Sequence, residues 1–381
     1  RGFQYCARLV LGQVVTDYPL GLLVEWAYID SLVISAEQES LPSLRSSWVL
    51  TQDEVTETRL YLGGSVNGDL CDGGTLIDTR THDGSARTVL WENTADWHLM
   101  ERGRDYCVQL DVQDTGSDEA SAVMTLGDAS MNLSAAVDQD ETSFTVTGSW
   151  QGNAGASAAL TLYQSADCSQ NPLRVVDIDW DQASGVQEVF NPGNTPGLER
   201  GSSYCAKLVL GGAEQIEPLG ELHYSTISGL TFSMTDAWDP TLRGQWTLTP
   251  MGTSDATLYE GATAEAGTCV GGVSILSESF NHLGTVVGQW QNSGQLKRGA
   301  TYCLEVTTGD GGLDSASAVF SVPANNPSLI ASLNQVTATV TVEATWDGFA
   351  GAASSVTLYR SSNCASDPAE SRVIAWDLAG G

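Results

Sequence analysis

The sequence predicts an all-β chain, a row of β-sandwich domains in an alternating two-type repeat, each with one disulfide. Three observations predict it. First, Arg-Gly-x-x-Tyr-Cys occurs four times, ending at Cys6, Cys107, Cys205 and Cys303, with spacings of 101, 98 and 98 residues. A period near 100 residues is one small domain per copy. Second, segments such as Ser143-Phe144-Thr145-Val146-Thr147 and Thr337-Ala338-Thr339-Val340-Thr341-Val342 alternate with period two and are rich in β-branched residues. No segment carries a sustained 3.6-residue apolar stripe. Third, turn signals recur at Asp83-Gly84, Pro192-Gly193-Asn194 and Asp310-Gly311-Gly312. About seven short strands in about 98 residues is the size of a sandwich.

In chain order, residues 1–28 read as two strands and a hairpin, the C-terminal half of a sandwich. Tyr5-Cys6-Ala7-Arg8-Leu9-Val10-Leu11 is followed by a Gly-containing turn and then Leu20-Gly21-Leu22-Leu23-Val24-Glu25-Trp26. A complete unit of one type (B) spans 29–127, with Trp48, Tyr61, Cys71, Trp91 and Tyr106-Cys107. A second type (A) spans 128–226, with Trp150, Tyr163, Cys168, Trp180 and Tyr204-Cys205. Type B returns at 227–324, with Trp246, Tyr259, Cys269, Trp290 and Tyr302-Cys303. Residues 325–381 carry Trp346, Tyr359, Cys364 and Trp376 and read as the N-terminal half of a type A sandwich. Trp to Tyr is 13 residues in all four copies, but Tyr to Cys is 10, 5, 10 and 5. The true period is therefore a pair of domains, and residues 148–163 align with 344–359 without a gap.

Composition narrows the function. A formal net charge of −31, with Lys207 and Lys297 the only lysines, argues against nucleic acid and anionic membranes as partners. No apolar run approaches the 18 residues of a membrane-spanning helix, so no membrane insertion is expected, and no signal peptide is evident. The eight cysteines are even in number and include no Cys-x-x-Cys, and His82, His98, His223 and His282 are scattered. That favours disulfides over zinc, and an extracellular or cell-surface location.

The stretch Gln295-Leu296-Lys297-Arg298-Gly299-Ala300-Thr301-Tyr302 resembles the Leu-x-Pro-Gly-x-x-Tyr of fibronectin type III domains, where the Tyr forms a corner at the start of strand F. Residues 99–106 and 198–204 are looser versions. The resemblance implies an immunoglobulin-like or fibronectin type III-like sandwich. It places Trp48, Trp150, Trp246 and Trp346 on strand B and Tyr61, Tyr163, Tyr259 and Tyr359 on strand C, all as core aromatics. Arg stands where that family has Pro, and most of its members lack a disulfide. Side chains alternate along a strand, so a Cys beside an inward Tyr points outward. That implies staples on the outer face or edge of the C–F sheet, Cys71–Cys107, Cys168–Cys205 and Cys269–Cys303. Each closes a loop that contributes about 3–4 kcal/mol in the chain-entropy picture.

Cys6 and Cys364 remain, one in each half-domain. Short linkers such as Ala27-Tyr28-Ile29-Asp30 oppose bending one chain into a ring. The expected partner is a further copy of the chain, head-to-tail, with a Cys6–Cys364 disulfide between copies; a heterologous contact that does not close builds a filament. From Cys364 to a following Cys6 is 23 residues, against 34–37 for the internal pairs, which favours missing residues or a chain break over seamless continuity. A window of a longer tandem array is the other source of the same completed domain.

Chemistry is sparse. There is no Gly-x-Ser-x-Gly, His-Glu-x-x-His or phosphate loop, so no catalytic residue and no enzyme activity is expected. No cofactor is expected beyond possible calcium. Asp177-Ile178-Asp179-Trp180-Asp181 resembles the start of a calcium loop but lacks the sixth-position Gly, so a solvated face is the plainer reading. Asp114, Asp118 and Glu119, and Asp310 and Asp314, fall in hairpin turns where calcium is conceivable. Trp26, Trp97 and Trp238 lie outside the repeated set and suit interdomain packing, or stacking on sugars. Asn132-Leu133-Ser134 is a lone glycosylation sequon. The expected function is a structural subunit or repeat segment of an extracellular filament. The alternatives are the stalk of a surface adhesin and carbohydrate-binding modules of a secreted enzyme.

Overall fold

The computed structural model describes residues 4–22, 26–37, 40–113, 118–128, 130–282, 284–292 and 294–381. Arg1 to Phe3, Leu23 to Glu25 and Asp114 lie outside the described residues. By its contacts the chain forms two compact units. One comprises Arg1–Val137, Phe144–Leu198 and Ser203–Gly220; the other comprises Asp138–Ser143, Glu199–Ser202 and Glu221–Gly381.

The first unit opens with a lone antiparallel hairpin, β1 (Gln4–Leu11) and β2 (Val14–Leu22). The second strand thus begins well before Leu20, at Val14, because the turn falls at Gly12, which has a positive φ of 63°.

A first sandwich follows: β3 (Ile29–Ala36), β4 (Ser43–Leu50), β5 (Thr56–Leu62), β6 (Ser65–Asn67), β7 (Leu70–Asp72), β8 (Thr75–His82), β9 (Thr88–Glu92), β10 (Asp105–Val112) and β11 (Glu119–Thr125). One sheet has the order β3-β4-β9 and the other β11-β10-β5-β8. The core sits between them. Strands β4 and β5 alternate, placing Leu44, Trp48, Thr58 and Leu60 inside, where they meet Trp91, Tyr106, Val108 and Leu110. The small hairpin β6–β7 lies outside this core, against β10 and β11. Strand β10 is consequently buried on both faces.

The second sandwich comprises β12 (Asn132–Asp138), β13 (Ser143–Ser149), β14 (Ala158–Tyr163), β15 (Pro172–Ile178), β16 (Val186–Phe190), β17 (Ser203–Leu210) and β18 (Ala213–Glu221). Its sheets are β12-β13-β16 and β15-β14-β17-β18. Phe144, Val146, Leu160, Leu162, Phe190, Tyr204 and Leu208 are fully buried between them.

In the other unit, a sandwich repeats the first: β19 (Thr226–Asp236), β20 (Thr241–Thr249), β21 (Gly252–Glu260), β22 (Thr263–Glu265), β23 (Thr268–Val270), β24 (Val273–His282), β25 (Thr285–Trp290), β26 (Thr301–Thr308) and β27 (Ser315–Ser321). Its sheets are β19-β20-β25 and β24-β21-β26-β27, and β22–β23 is again a separate hairpin. Four strands close the chain as two two-stranded sheets: β28 (Ser328–Asn334) with β29 (Thr339–Thr345), and β30 (Ser355–Tyr359) with β31 (Pro368–Val373). Thr337 and Ala338 belong to the turn before β29 rather than to the strand; Ala338 takes a positive φ of 53°. The chain is all-β and built of tandem sandwiches.

Candidate assembly surfaces

Disulfides join Cys71 to Cys107, Cys168 to Cys205 and Cys269 to Cys303. The second cysteine of each pair follows the corner Tyr and lies on the opposite face of its strand. Tyr106 and Tyr302 point inward, and each hydroxyl oxygen accepts a bond of 2.6 Å, from the Glu101 and Lys297 amides. The staples are on the outer face of the sheet yet not open to solvent, since Cys107, Cys205 and Cys303 are fully buried. The Tyr-to-Cys spacing decides how. Ten residues leave room for the β6–β7 or β22–β23 hairpin, which carries Cys71 or Cys269 across the face. There the Cys71 amide reaches Gln109 Oε1, and the Cys269 amide reaches Glu305 Oε2 at 2.6 Å. Five residues allow only a tight loop, in which Cys168 and Cys364 themselves adopt positive φ of 56° and 53°.

The core aromatics need one correction. Trp48, Trp150 and Trp246 are buried in the cores. Tyr61, Tyr163, Tyr259 and Tyr359 are only half-buried. Strand alternation sends Leu60, Leu162 and Leu258 inward and turns each neighbouring Tyr to the disulfide face, where Tyr61, Tyr163 and Tyr259 pair with Cys107, Cys205 and Cys303. Trp91 and Trp290 are core residues on β9 and β25, but Trp180 and Trp376 lie in loops after β15 and β31. Those pairs are not structurally equivalent. Trp97 packs on its own domain's core beneath Arg80, and Trp238 is 57% exposed. Trp26 is half-buried.

Two surfaces stand apart from these closed cores. The β1–β2 hairpin is exposed throughout the described length of β1, with Tyr5 42%, Leu9 60% and Leu11 67% exposed. Their counterparts by alignment of the Tyr-Cys motif, Tyr204, Leu208 and Leu210, are fully buried in β17. In the other unit, residues of β28, β29 and β30 line an open cavity of about 580 Å³, with Leu329, Ala344, Trp346 and Val356 on its wall beside Ile374 and Arg298. Leu329 and Leu333 are 64% and 63% exposed, whereas Leu133, the counterpart of Leu329, is 4% exposed in β12. Trp346 is half-buried, unlike Trp150. Cys6 and Cys364 are free and exposed, one on each surface.

Sequence reasoning missed the work of the repeated arginines. Arg102, 4% exposed, donates from Nε to the Asn153 carbonyl at 2.8 Å and from Nη2 to the Ser40 carbonyl at 3.3 Å, tying the two sandwiches of its unit. Arg298 repeats this, donating to the carbonyls of Phe349 (3.3 Å), Ala237 (2.8 Å) and Trp238 (2.7 Å). The accepting loops, Gly152-Asn153-Ala154-Gly155 and Gly348-Phe349-Ala350-Gly351, need glycine. A Cβ on Gly152 would sit 2.2 Å from the Ser40 carbonyl oxygen, and one on Gly348 2.5 Å from that of Trp238. The recurring Gly-x-Ala-Gly was the available signal. Arg200 donates to the carbonyls of His223 and Met251, both at 2.8 Å, and lies 3.7 Å from Asp310. Burial pushes the Arg102 and Arg298 guanidinium groups down from their ordinary range. Each of these arginines thus grips the main chain of a neighbouring domain.

The calcium candidates have other partners. Asp118 Oδ2 accepts from the Ile29 amide at 2.6 Å, and Asp314 Oδ2 from the Ile227 amide at 2.6 Å. Asp310 accepts from the Ser225 and Gly312 amides at 2.7 and 3.2 Å. Glu119 opens β11, and Asp177 lies on β15 with Asp179 and Asp181 in the turn beyond. Among the described residues, no group of three potential ligands is poised to hold a metal.

No protein-family model matches the chain, and no curated protein matches it. Among solved structures, Escherichia coli alpha-2-macroglobulin activated by porcine elastase is 11% identical, covering 87% of this chain and 38% of that one at a TM-score of 0.20. Dimeric latent PorU from Porphyromonas gingivalis is 8% identical, covering 81% and 35% at 0.21. A Salmonella alpha-2-macroglobulin mutant is 10% identical, covering 91% and 27% at 0.21. The chain spans less than two fifths of the length of these structures, and scores at this level carry no argument about function.

Proposed function

We propose that this chain is a structural segment of an extracellular filament, in which the β1–β2 hairpin of one copy completes the β28–β31 half-sandwich of another. One observation carries the reading: the apolar face exposed on β1 is the one that the complete sandwich buries in β17, and β30, which lines the open cavity, is paired on one edge only, with β31. Transferring the β14–β17 register, in which Leu160 opposes Leu208 and Tyr163 opposes Cys205, sets Val356 opposite Leu9 and Tyr359 opposite Cys6. Cys6 then stands to Cys364 as Cys205 stands to Cys168. Two thiols joining there give up two electrons and two protons to the oxidants of the compartment. Three disulfides favour an oxidising location for such a chain, and a contact of this kind propagates head-to-tail. The role is mechanical rather than catalytic, with a staple limiting the extension of each domain.

The test is non-reducing peptide mapping and electron microscopy of the chain after air oxidation. A peptide joining Cys6 to Cys364 between copies, with concatenated particles that Cys6→Ser abolishes, is the expected result. Isolated short rods with both thiols unpaired after oxidation would overturn it.

A further inference from the structure

We infer that the sandwich of β3–β11 carries an acid-sensitive switch in its core, formed by His82 and Thr58, that its repeat, the sandwich of β19–β27, lacks. The switch is independent of the assembly proposed above. The strand register identifies the counterparts. Thr56 opposes His82 across β5 and β8, and Ser254 opposes Phe280 across β21 and β24. His82 therefore holds the place of Phe280. Its ring lies 5.2 Å from that of the core Trp48, and Phe280 lies 5.2 Å from that of Trp246. Two residues along β5 from Thr56 is Thr58, and two along β21 from Ser254 is Ala256; both are fully buried. The Thr58 hydroxyl oxygen lies 2.8 Å from His82 Nε2. At one site of the same fold, a polar pair thus replaces the apolar pair Ala256 and Phe280.

A neutral imidazole suits this site, since Thr58 bonds one ring nitrogen and Trp48 packs on the ring. An imidazolium does not, because half-buried His82 is partly cut off from the water that would solvate a charge. Of the charged groups on its own strand and the turn beyond, Arg80 opposes a further positive charge and Asp83 favours one. Facing it, β4 presents Trp48 and β5 presents Thr56 and Thr58; Glu57 and Arg59 of β5 alternate to the other face and pair with each other. The loop from β4 to β5 carries Asp53 and Glu54, the first paired with Arg87. Burial first, and Arg80 second, hold the His82 imidazole below its ordinary range. A folded-state pKa below the unfolded value, about 6.5 for His, contributes stability that is full above that value. The contribution is lost as pH falls through the lowered one. Phe280 does not titrate, so mild acid loosens one sandwich at this site and leaves its repeat unaffected there.

Amide hydrogen exchange of the whole chain at about pH 8 and about pH 5, the span in which histidine titrates, tests the switch. Mass spectrometry reads it as protection factors, which remove the intrinsic effect of pH. Peptides from β5 and β8 should lose at least about threefold more protection on acidification than peptides from β21 and β24. Writing the repeat's residues into the first sandwich, Thr58→Ala together with His82→Phe, should abolish that difference. Equal acid dependence in the two sandwiches, or a difference that the double variant keeps, overturns the inference. A second measurement needs no variant: the pH profile of hydrogen exchange at the imidazole C2 of His82 in the unaltered chain. A midpoint below about 6.5 is expected, and one at or above about 6.5 overturns the switch.

Discussion

The sandwich of β12–β18 and the half-sandwich of β28–β31 share a sequence pattern but not a state. Residues 148–163 and 344–359 align without a gap. Yet Leu133 is 4% exposed and its counterpart Leu329 is 64% exposed. The apolar alternation that makes a strand amphipathic is a property of the sequence; whether that face is buried depends on which strands arrive to cover it. A completed core and an open surface can therefore be written in nearly the same residues, and the open copy is read by looking at the closed one.

The sharpest way to break the comparison is thiol labelling. In the isolated chain, before any air oxidation joins copies, an alkylating reagent should modify Cys6 and Cys364 and leave the six disulfide cysteines untouched, read by mass spectrometry; labelling of any of the six would contradict the three disulfides. Next comes a matched pair of truncations. Leu208→Ala should cost about 2–5 kcal/mol in chemical denaturation. Leu9→Ala in the isolated chain should change stability by no more than about 0.5 kcal/mol. Equal costs would mean that the β1 face is already covered. Arg102→Ala should cost about 1–3 kcal/mol by stranding buried carbonyls, and Arg102→Lys should not recover it, since an ammonium lacks the planar fork.

Smaller effects concern titration. Burial alone would raise the Asp310 carboxyl, but the Ser225 and Gly312 amides and Arg200 hold it below its usual range. A folded-state pKa below the unfolded value contributes stability that is full above about pH 4 and fades as pH falls through the lowered value. Asp310→Asn should therefore flatten the acid limb of the pH–stability curve. Burial pushes the Tyr106 hydroxyl up to about 12. The contribution of this raised group is present below about pH 10 and is lost as pH climbs toward the folded value. Tyr106→Phe should cost about 1 kcal/mol at neutral pH and remove that alkaline loss.

Much of the architecture was legible because strand chemistry is local. Tyr and Cys side by side on an alternating strand must face opposite ways, and that places the staples on the outer face. The core placement of Tyr61 and its equivalents came from the family resemblance instead, and alternation gives the inward position to Leu60. The hairpins covering Cys107 and Cys303 escaped notice because Ser65-Val66-Asn67 and Thr263-Ala264-Glu265 are short and mostly polar, with no apolar stripe. The arginine joints escaped for another reason. Their acceptors are main-chain carbonyls, which every residue type supplies, so only the glycines of the accepting loops mark them.

That last feature frees the exterior to change. At one joint the accepting residue is Asn153 and at the other Phe349; Ser40 at the first has Trp238 at the second. A grip on atoms common to all amino acids tolerates such rewriting, so long as the flanking glycines persist. The side chains around each joint can thereby change while the joint itself is kept.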